Sequence, residues 1–157
     1  MKFQFTEENL RKVEAAIAKY PQKKAAVMPV LYIVQEQHGW ISGEAMTEVA
    51  RILEMTQEEV LGVVTFYTMY HKKPAGKYHI QVCTNVSCML RGGYDIYNAV
   101  RDKLKLENGG VSEDMLFSLE EVECMGSCGT APMIAVNEDY HENIDTEKTL
   151  QILDSLK

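Results

Sequence analysis

Apolar residues recur at helical spacing through roughly the first half of the chain and at every second position in much of the rest, so the period of the pattern changes near residue 75. Thr6 is placed to cap a first helix in which Leu10, Val13, Ile17 and Tyr20 share a face, ending before Pro21. A second helix is expected through AAVMPVLYIVQEQ, stopped at His38-Gly39 and kinked at Pro29. Ser42 opens a third, with Met46, Val49 and Leu53 on one face. The run Thr56-Gln-Glu-Glu59 reads as a capping box in front of VLGVVTF. Residues 1–75 therefore read as a small helical bundle with Trp40 packed beneath it. No residue pattern in this part proposes catalysis.

HKKPAGK, residues 71–77, is charged and carries Pro74 and Gly76, the composition of a linker. Beyond it YHIQV (78–82) predicts a strand ending at Cys83, and YDIYNAVRDKLKL (94–106) an amphipathic helix. LFSLEEV (116–122) predicts a strand ending just before Cys124. MIAV and YHENI flank Asn137-Glu-Asp139 as a hairpin, and TEKTLQILDSL (146–156) closes the chain as a helix with Leu150, Leu153 and Leu156 inward. The overall class is α+β: a helical bundle, 1–75, then an α/β domain, 76–157, whose β-α-β-β-α order is that of a thioredoxin-like fold. Pro132 stands where such folds carry a cis-proline, and cis and trans are both open from sequence.

Charge divides at the same place. Residues 1–75 hold nine basic and nine acidic side chains, whereas residues 76–157 hold seven and fourteen, so the whole net charge of −7 lies in the second part. A nucleic-acid binder shows the opposite bias. The opening MKFQFTEENL has neither an apolar signal segment nor an Arg/Ser-rich leader, so a reducing compartment is expected.

In that compartment the four cysteines become the chemistry of the chain. They fall in two close pairs, C-x4-C at Cys83 and Cys88 and C-x3-C at Cys124 and Cys128. With 46% hydrophobic composition over 157 residues the chain can bury a core without disulfide staples, so close pairs point to metal or redox chemistry. Four thiolates complete a zinc site, a [2Fe–2S] cluster or a [4Fe–4S] cluster, and spacing alone leaves these open. The plant-type ferredoxin pattern needs a C-x2-C step that is missing here. Thiol–disulfide exchange needs a C-x-x-C pair, also missing. Gly126 and Gly129 bracket Ser127 and Cys128 and would let backbone N–H groups turn toward sulfur; Thr84, Asn85 and Ser87 could donate to sulfur or cap a turn. His38, His71, His79 and His141 are expected in surface or capping roles, because four sulfurs already fill a centre. There is no phosphate-binding or dinucleotide glycine loop and no nucleophile elbow.

The stretch Asp114-Met-Leu-Phe117-Ser118, five residues, then Cys124-Met-Gly126-Ser-Cys128-Gly-Thr-Ala131-Pro132 resembles the signature of the NADH-quinone oxidoreductase E-subunit family, the small [2Fe–2S] component of respiratory complex I. The resemblance continues upstream through CTNVSC, GVVTFYTMY and HGWI, so it covers nearly the whole chain. It implies an electron-transfer subunit with one [2Fe–2S] cluster on Cys83, Cys88, Cys124 and Cys128, docked beside a flavoprotein that binds NADH and FMN. It further implies a cytoplasmic position in the peripheral arm of a membrane-associated complex, without membrane insertion. Hydride chemistry delivers two electrons and such a cluster takes one; in the family this chain resembles that cluster lies off the main electron path, so the role the resemblance implies is a transient store beside the flavin. Related subunits serve soluble NAD-linked hydrogenases and formate dehydrogenases. A free-standing ferredoxin and a zinc-stabilised interaction module are the other readings.

Overall fold

The computed structural model describes residues 2–156, and the chain divides into two compact units, Met1–Pro74 and Ala75–Lys157. In the first unit, the caps set the helices. Thr6 accepts the Asn9 N–H at 3.2 Å and starts α1, Glu7–Ile17. A single 3-10 turn, Lys23–Ala26, leads into α2, Val27–His38. Pro29 falls in the first turn of α2 rather than at a kink; an N–H there has no intrahelical acceptor to lose, so proline is accommodated. Gly39 closes α2 in the left-handed region with φ 81°.

Ser42 caps α3, Gly43–Leu53, through the Ala45 N–H at 3.1 Å. The predicted capping box is present on α4, Gln57–Phe66: the Thr56 hydroxyl accepts the Glu59 N–H at 3.2 Å, and the Glu59 carboxylate accepts the Thr56 N–H at 2.8 Å. Val13, Val30, Leu31, Val34, Val49, Leu53, Val60 and Val64 form the core, with Met46 partly buried against it. Two glutamines that periodicity assigns no role hold the ends down. Gln37 accepts the Thr6 N–H at 3.0 Å, and Gln35 accepts the His71 N–H at 2.7 Å while donating to the Met69 carbonyl at 2.9 Å. Trp40 is half-buried and stacked on His38 instead of lying beneath the bundle.

The second unit is a four-stranded sheet in the order β2-β1-β3-β4. Its strands are β1 Tyr78–Cys83, β2 Phe117–Val122, β3 Met133–Val136 and β4 Asp139–Glu142. Strands β1 and β2 are parallel, with Cys83 opposite Val122; β3 runs antiparallel to β1, and β4 to β3. A one-turn helix α5, Val86–Met89, precedes the crossover helix α6, Gly93–Leu104, and α7, Thr146–Ser155, closes the unit. Ile80, Val82, Leu119, Ile134 and Val136 meet Ile96, Tyr97, Val100 and Leu153 in one core, with Leu150 and Leu156 packed at its margin. Side chains alternate across a strand, so Cys83 lies on the other face of β1 from Val82. It packs with Cys88, Ala131 and Met133 in a separate small cluster.

Gly76 fits this unit for a reason beyond breaking a linker: a Cβ there would stand within van der Waals overlap of the Phe117 carbonyl carbon. His79 corrects the expectation of a surface role. It is buried, with Nδ1 2.8 Å from the Ser118 hydroxyl and Nε2 3.0 Å from Glu120. The Ala131–Pro132 peptide is cis.

Candidate metal centre

Parallel neighbours end at the same edge of a sheet, and this brings the two cysteine pairs together. Cys83 is the last residue of β1, and its partner Val122 is the last of β2, two residues before Cys124. The ladder runs one step further, with the Thr84 N–H donating to the Val122 carbonyl at 3.0 Å. Thr84 is itself buried, and its hydroxyl donates to Glu121 at 2.8 Å. Asn85 then caps α5 by accepting the Val86 N–H, and α5 carries Cys88 back toward Cys83. Gly93, in the first turn of α6, seats this loop from behind: a Cβ there would lie 2.9 Å from the carbonyl oxygens of both Cys83 and Cys88.

The second loop is held by polar contacts rather than by regular structure. Gly126 adopts φ 85°, and its N–H points to the Cys124 sulfur at 3.4 Å. A 3-10 turn, Cys128–Thr130, follows. The Thr130 hydroxyl donates to Glu142 at 2.7 Å, and the Thr130 carbonyl accepts the Asn143 N–H at 2.8 Å, which pins the loop to β4. Hydrogen bonds from Ser127 and Thr130 hold the Glu142 carboxyl below its ordinary range.

Cys83 and Cys88 are 3% and 2% exposed, whereas Cys124 and Cys128 are exposed, so the centre has an inner and an outer pair. The Cys124 and Cys128 sulfurs stand 3.8 Å apart. A disulfide needs about 2.05 Å. Two sulfurs on one tetrahedral ion with bonds of about 2.3 Å stand about 3.8 Å apart, which is the separation observed. Burial pushes the Cys88 thiol up to about 11, with the Cys83 thiol adding to it and Cys128 contributing from the other loop. Cys128 is raised by Cys124 first, against the Ser87 hydroxyl, with Cys83 adding from across the site. The four sulfurs thus share one electrostatic neighbourhood, in which four negative charges would repel without a cationic centre between them. Among the described residues no three His, Cys, Asp or Glu side chains converge on a point suited to one ion.

Of the residues singled out beside the cysteines, Gly126 does turn its N–H toward sulfur, and Ser87 acts on Cys128. Thr84 and Asn85 bond to Glu121 and to the α5 backbone. Helix α5, the Thr84–Glu121 bond and a bond from Arg91 to the Ala131 carbonyl carry no signal in the local sequence. No helix among the described residues is long and apolar enough to cross a membrane.

Known proteins resemble this chain over nearly its whole length. A family model for the thioredoxin-like [2Fe–2S] ferredoxin matches residues 13–157. The E subunit of NADH-quinone oxidoreductase from Rickettsia bellii (strain RML369-C) is 43% identical over 99% of this chain and 95% of its own length. The E2 subunit of the same enzyme from Rhizobium meliloti (strain 1021) is 40% identical over 92% of this chain and 86% of its own. Among solved structures, an NAD+-reducing [NiFe]-hydrogenase chain superposes with TM-score 0.73 over 83% of this chain and 22% of its own; at 15% identity this speaks to the fold alone. The paired sulfurs, the N–H donor at Cys124 and the sheet edge that presents them fit a [2Fe–2S] group, and the chain belongs to the NADH-quinone oxidoreductase E-subunit family of thioredoxin-like [2Fe–2S] ferredoxins.

Proposed function

We propose that this chain is the electron-transfer subunit of an NADH-oxidising complex, NADH-quinone oxidoreductase, and that Cys83, Cys88, Cys124 and Cys128 hold its one [2Fe–2S] cluster. The observation that carries the reading is the meeting of the two cysteine loops at one sheet edge, with the outer pair spaced as two ligands of one tetrahedral ion. The inner pair would hold one iron and the outer pair the other. Bound there, the cluster supplies a carrier for single electrons.

The chain's own residues shape that role. Burial of Cys83 and Cys88 keeps water from the inner side, while the exposure of Cys124 and Cys128 turns the other side outward. The Gly126 N–H offsets negative charge on the Cys124 sulfur. Glu121, Glu123 and Glu142 stand on the neighbouring strands and loop, where their charge disfavours adding an electron. A sequence without a dinucleotide or flavin fingerprint leaves NADH and FMN to a partner flavoprotein, with which this chain exchanges electrons one at a time. The chain then sits in the peripheral arm of a membrane-associated complex, on its cytoplasmic side. The hydrogenase likeness carries the fold only, so the sequence relatives favour the quinone-linked assembly over the hydrogenase.

Protein purified without oxygen is expected to be red-brown, to hold iron and acid-labile sulfide in equal amounts, and to give a one-electron paramagnetic signal on reduction. Replacing any of the four cysteines with alanine is expected to abolish that spectrum. A colourless protein with stoichiometric zinc would make the chain a zinc-stabilised module instead.

A further inference from the structure

Charge is distributed unevenly around the four cysteines. Between Lys105 and Lys148 there is no lysine or arginine, while Glu120, Glu121, Glu123 and Glu142 lie in that span. On the first loop Arg91 is the only lysine or arginine between Lys77 and Arg101. In the two segments that carry the cysteines, carboxylates therefore outnumber fixed cations, of which Arg91 is the one.

Arg91 touches both loops. Its backbone N–H donates to the Cys88 carbonyl at 3.1 Å, and its guanidinium donates to the Ala131 carbonyl at 3.1 Å, forty residues away in sequence. Ala131 is 1% exposed, follows Cys128 by three residues, and packs in the cluster that contains Cys83 and Cys88. The side chain thus joins the end of the first cysteine loop to the end of the second. Among the described residues no carboxylate pairs with this guanidinium, unlike those of Arg51 and Arg101. An arginine stays protonated at all working pH, and one bond to a neutral carbonyl leaves its charge available to the surroundings.

We propose that Arg91 is a positioning residue that clamps the two cysteine loops, and that its charge favours the reduced form of the centre. The inference rests on the reading that the four cysteines hold a [2Fe–2S] cluster. Reduction takes one electron from the reductant and places one more negative charge among the sulfurs; no proton is needed. A cation beside the loops stabilises that added charge, and its removal leaves only the carboxylates to act on it.

The test uses the full chain with its cluster: wild type, Arg91→Lys, Arg91→Gln and, as a control for net charge, Lys103→Gln. Lys103 lies in the last turn of α6, about 15 Å along the helix from Gly93, beyond the screening length of about 8 Å at physiological salt. Each protein is titrated with dithionite against an applied potential, and the reduced fraction is read from the paramagnetic signal. Arg91→Gln is expected to lower the ratio of reduced to oxidised cluster about tenfold at a fixed potential, a shift of about 59 mV for one electron. Arg91→Lys and Lys103→Gln are expected to stay within about threefold of wild type. An unchanged potential in Arg91→Gln, with a normal wild-type signal, overturns this inference alone. A wild-type chain with no [2Fe–2S] signal overturns the cluster reading and this one with it. Should Arg91→Gln fail to hold a cluster, Arg91→Lys decides: a retained cluster at the wild-type potential supports the proposal. Loss of the cluster in both variants, with circular dichroism unchanged, leaves the clamp standing and overturns the claim that the charge of Arg91 favours the reduced form.

Discussion

At the residue scale, the centre depends on what stands behind the cysteines as much as on the cysteines themselves. Gly93 shows this most directly. A methyl group there would meet backbone carbonyls of Cys83 and Cys88 at 2.9 Å, and backbone cannot swing aside as a side chain can. Gly93→Ala is expected to cost about 1–3 kcal/mol and to displace the first cysteine loop, so cluster content should fall in protein that remains folded. Gly129→Ala is the matched control, because nothing lies within 4 Å of its added Cβ and its φ is ordinary. Equal iron content in the two variants would show that the loop tolerates the push. The cysteines are legible in the sequence because each pair is local, four or five positions apart. Arg91 to Ala131 and Thr84 to Glu121 are not, because their partners lie 40 and 37 residues away, and no local pattern encodes which residue a fold brings opposite. His79 misleads for the same reason: its two partners, on β2, exist only once β1 and β2 are paired.

At the element scale, the helical unit is held at its ends by caps that the sequence announces. The reciprocal bonds between Thr56 and Glu59 satisfy two backbone N–H groups that α4 could not pair internally. Thr56→Ala should lower stability by about 1 kcal/mol, measured as a shifted denaturant midpoint with unchanged slope, and Thr56→Ser should restore most of it. No shift in Thr56→Ala would mean that water replaces the cap without cost. Strands β1 and β2 are legible because apolar and polar residues alternate over Tyr78–Val82 and Phe117–Glu120, and the hairpin because Asn137 readily takes the left-handed conformation it adopts, with φ 56°. Helix α5 is not, since four residues contain barely one turn and show no period. Pro29 looks like a kink in the sequence because the apolar pattern begins before α2 does. The helix starts at Val27, and a proline two residues into it is an entry rather than an interruption.

At the scale of the whole molecule, the two units separate the cysteines from the helical bundle. All four cysteines lie in Ala75–Lys157, while Met1–Pro74 carries equal numbers of basic and acidic side chains and no chemical motif. What the helical unit does present is apolar surface on and after α4, where Phe66 is 77% exposed and Leu61 44%. The intact chain alone should neither oxidise NADH nor have its cluster reduced by NADH, for it has no dinucleotide or flavin fingerprint. Mixed with the flavoprotein of the same complex, it should co-purify with it, and NADH should then reduce the cluster. If α4 is part of the contact, Phe66→Ser should weaken that co-purification at least about tenfold while leaving the cluster spectrum of the isolated chain untouched, because α4 and the cysteines belong to different units. Unchanged binding in Phe66→Ser would move the contact off α4 and leave the electron-transfer reading intact. Reduction of the cluster by NADH in the isolated chain would be the more serious result, since it would require a nucleotide site in this chain and end the division of labour between a flavin-bearing partner and a cluster-bearing subunit.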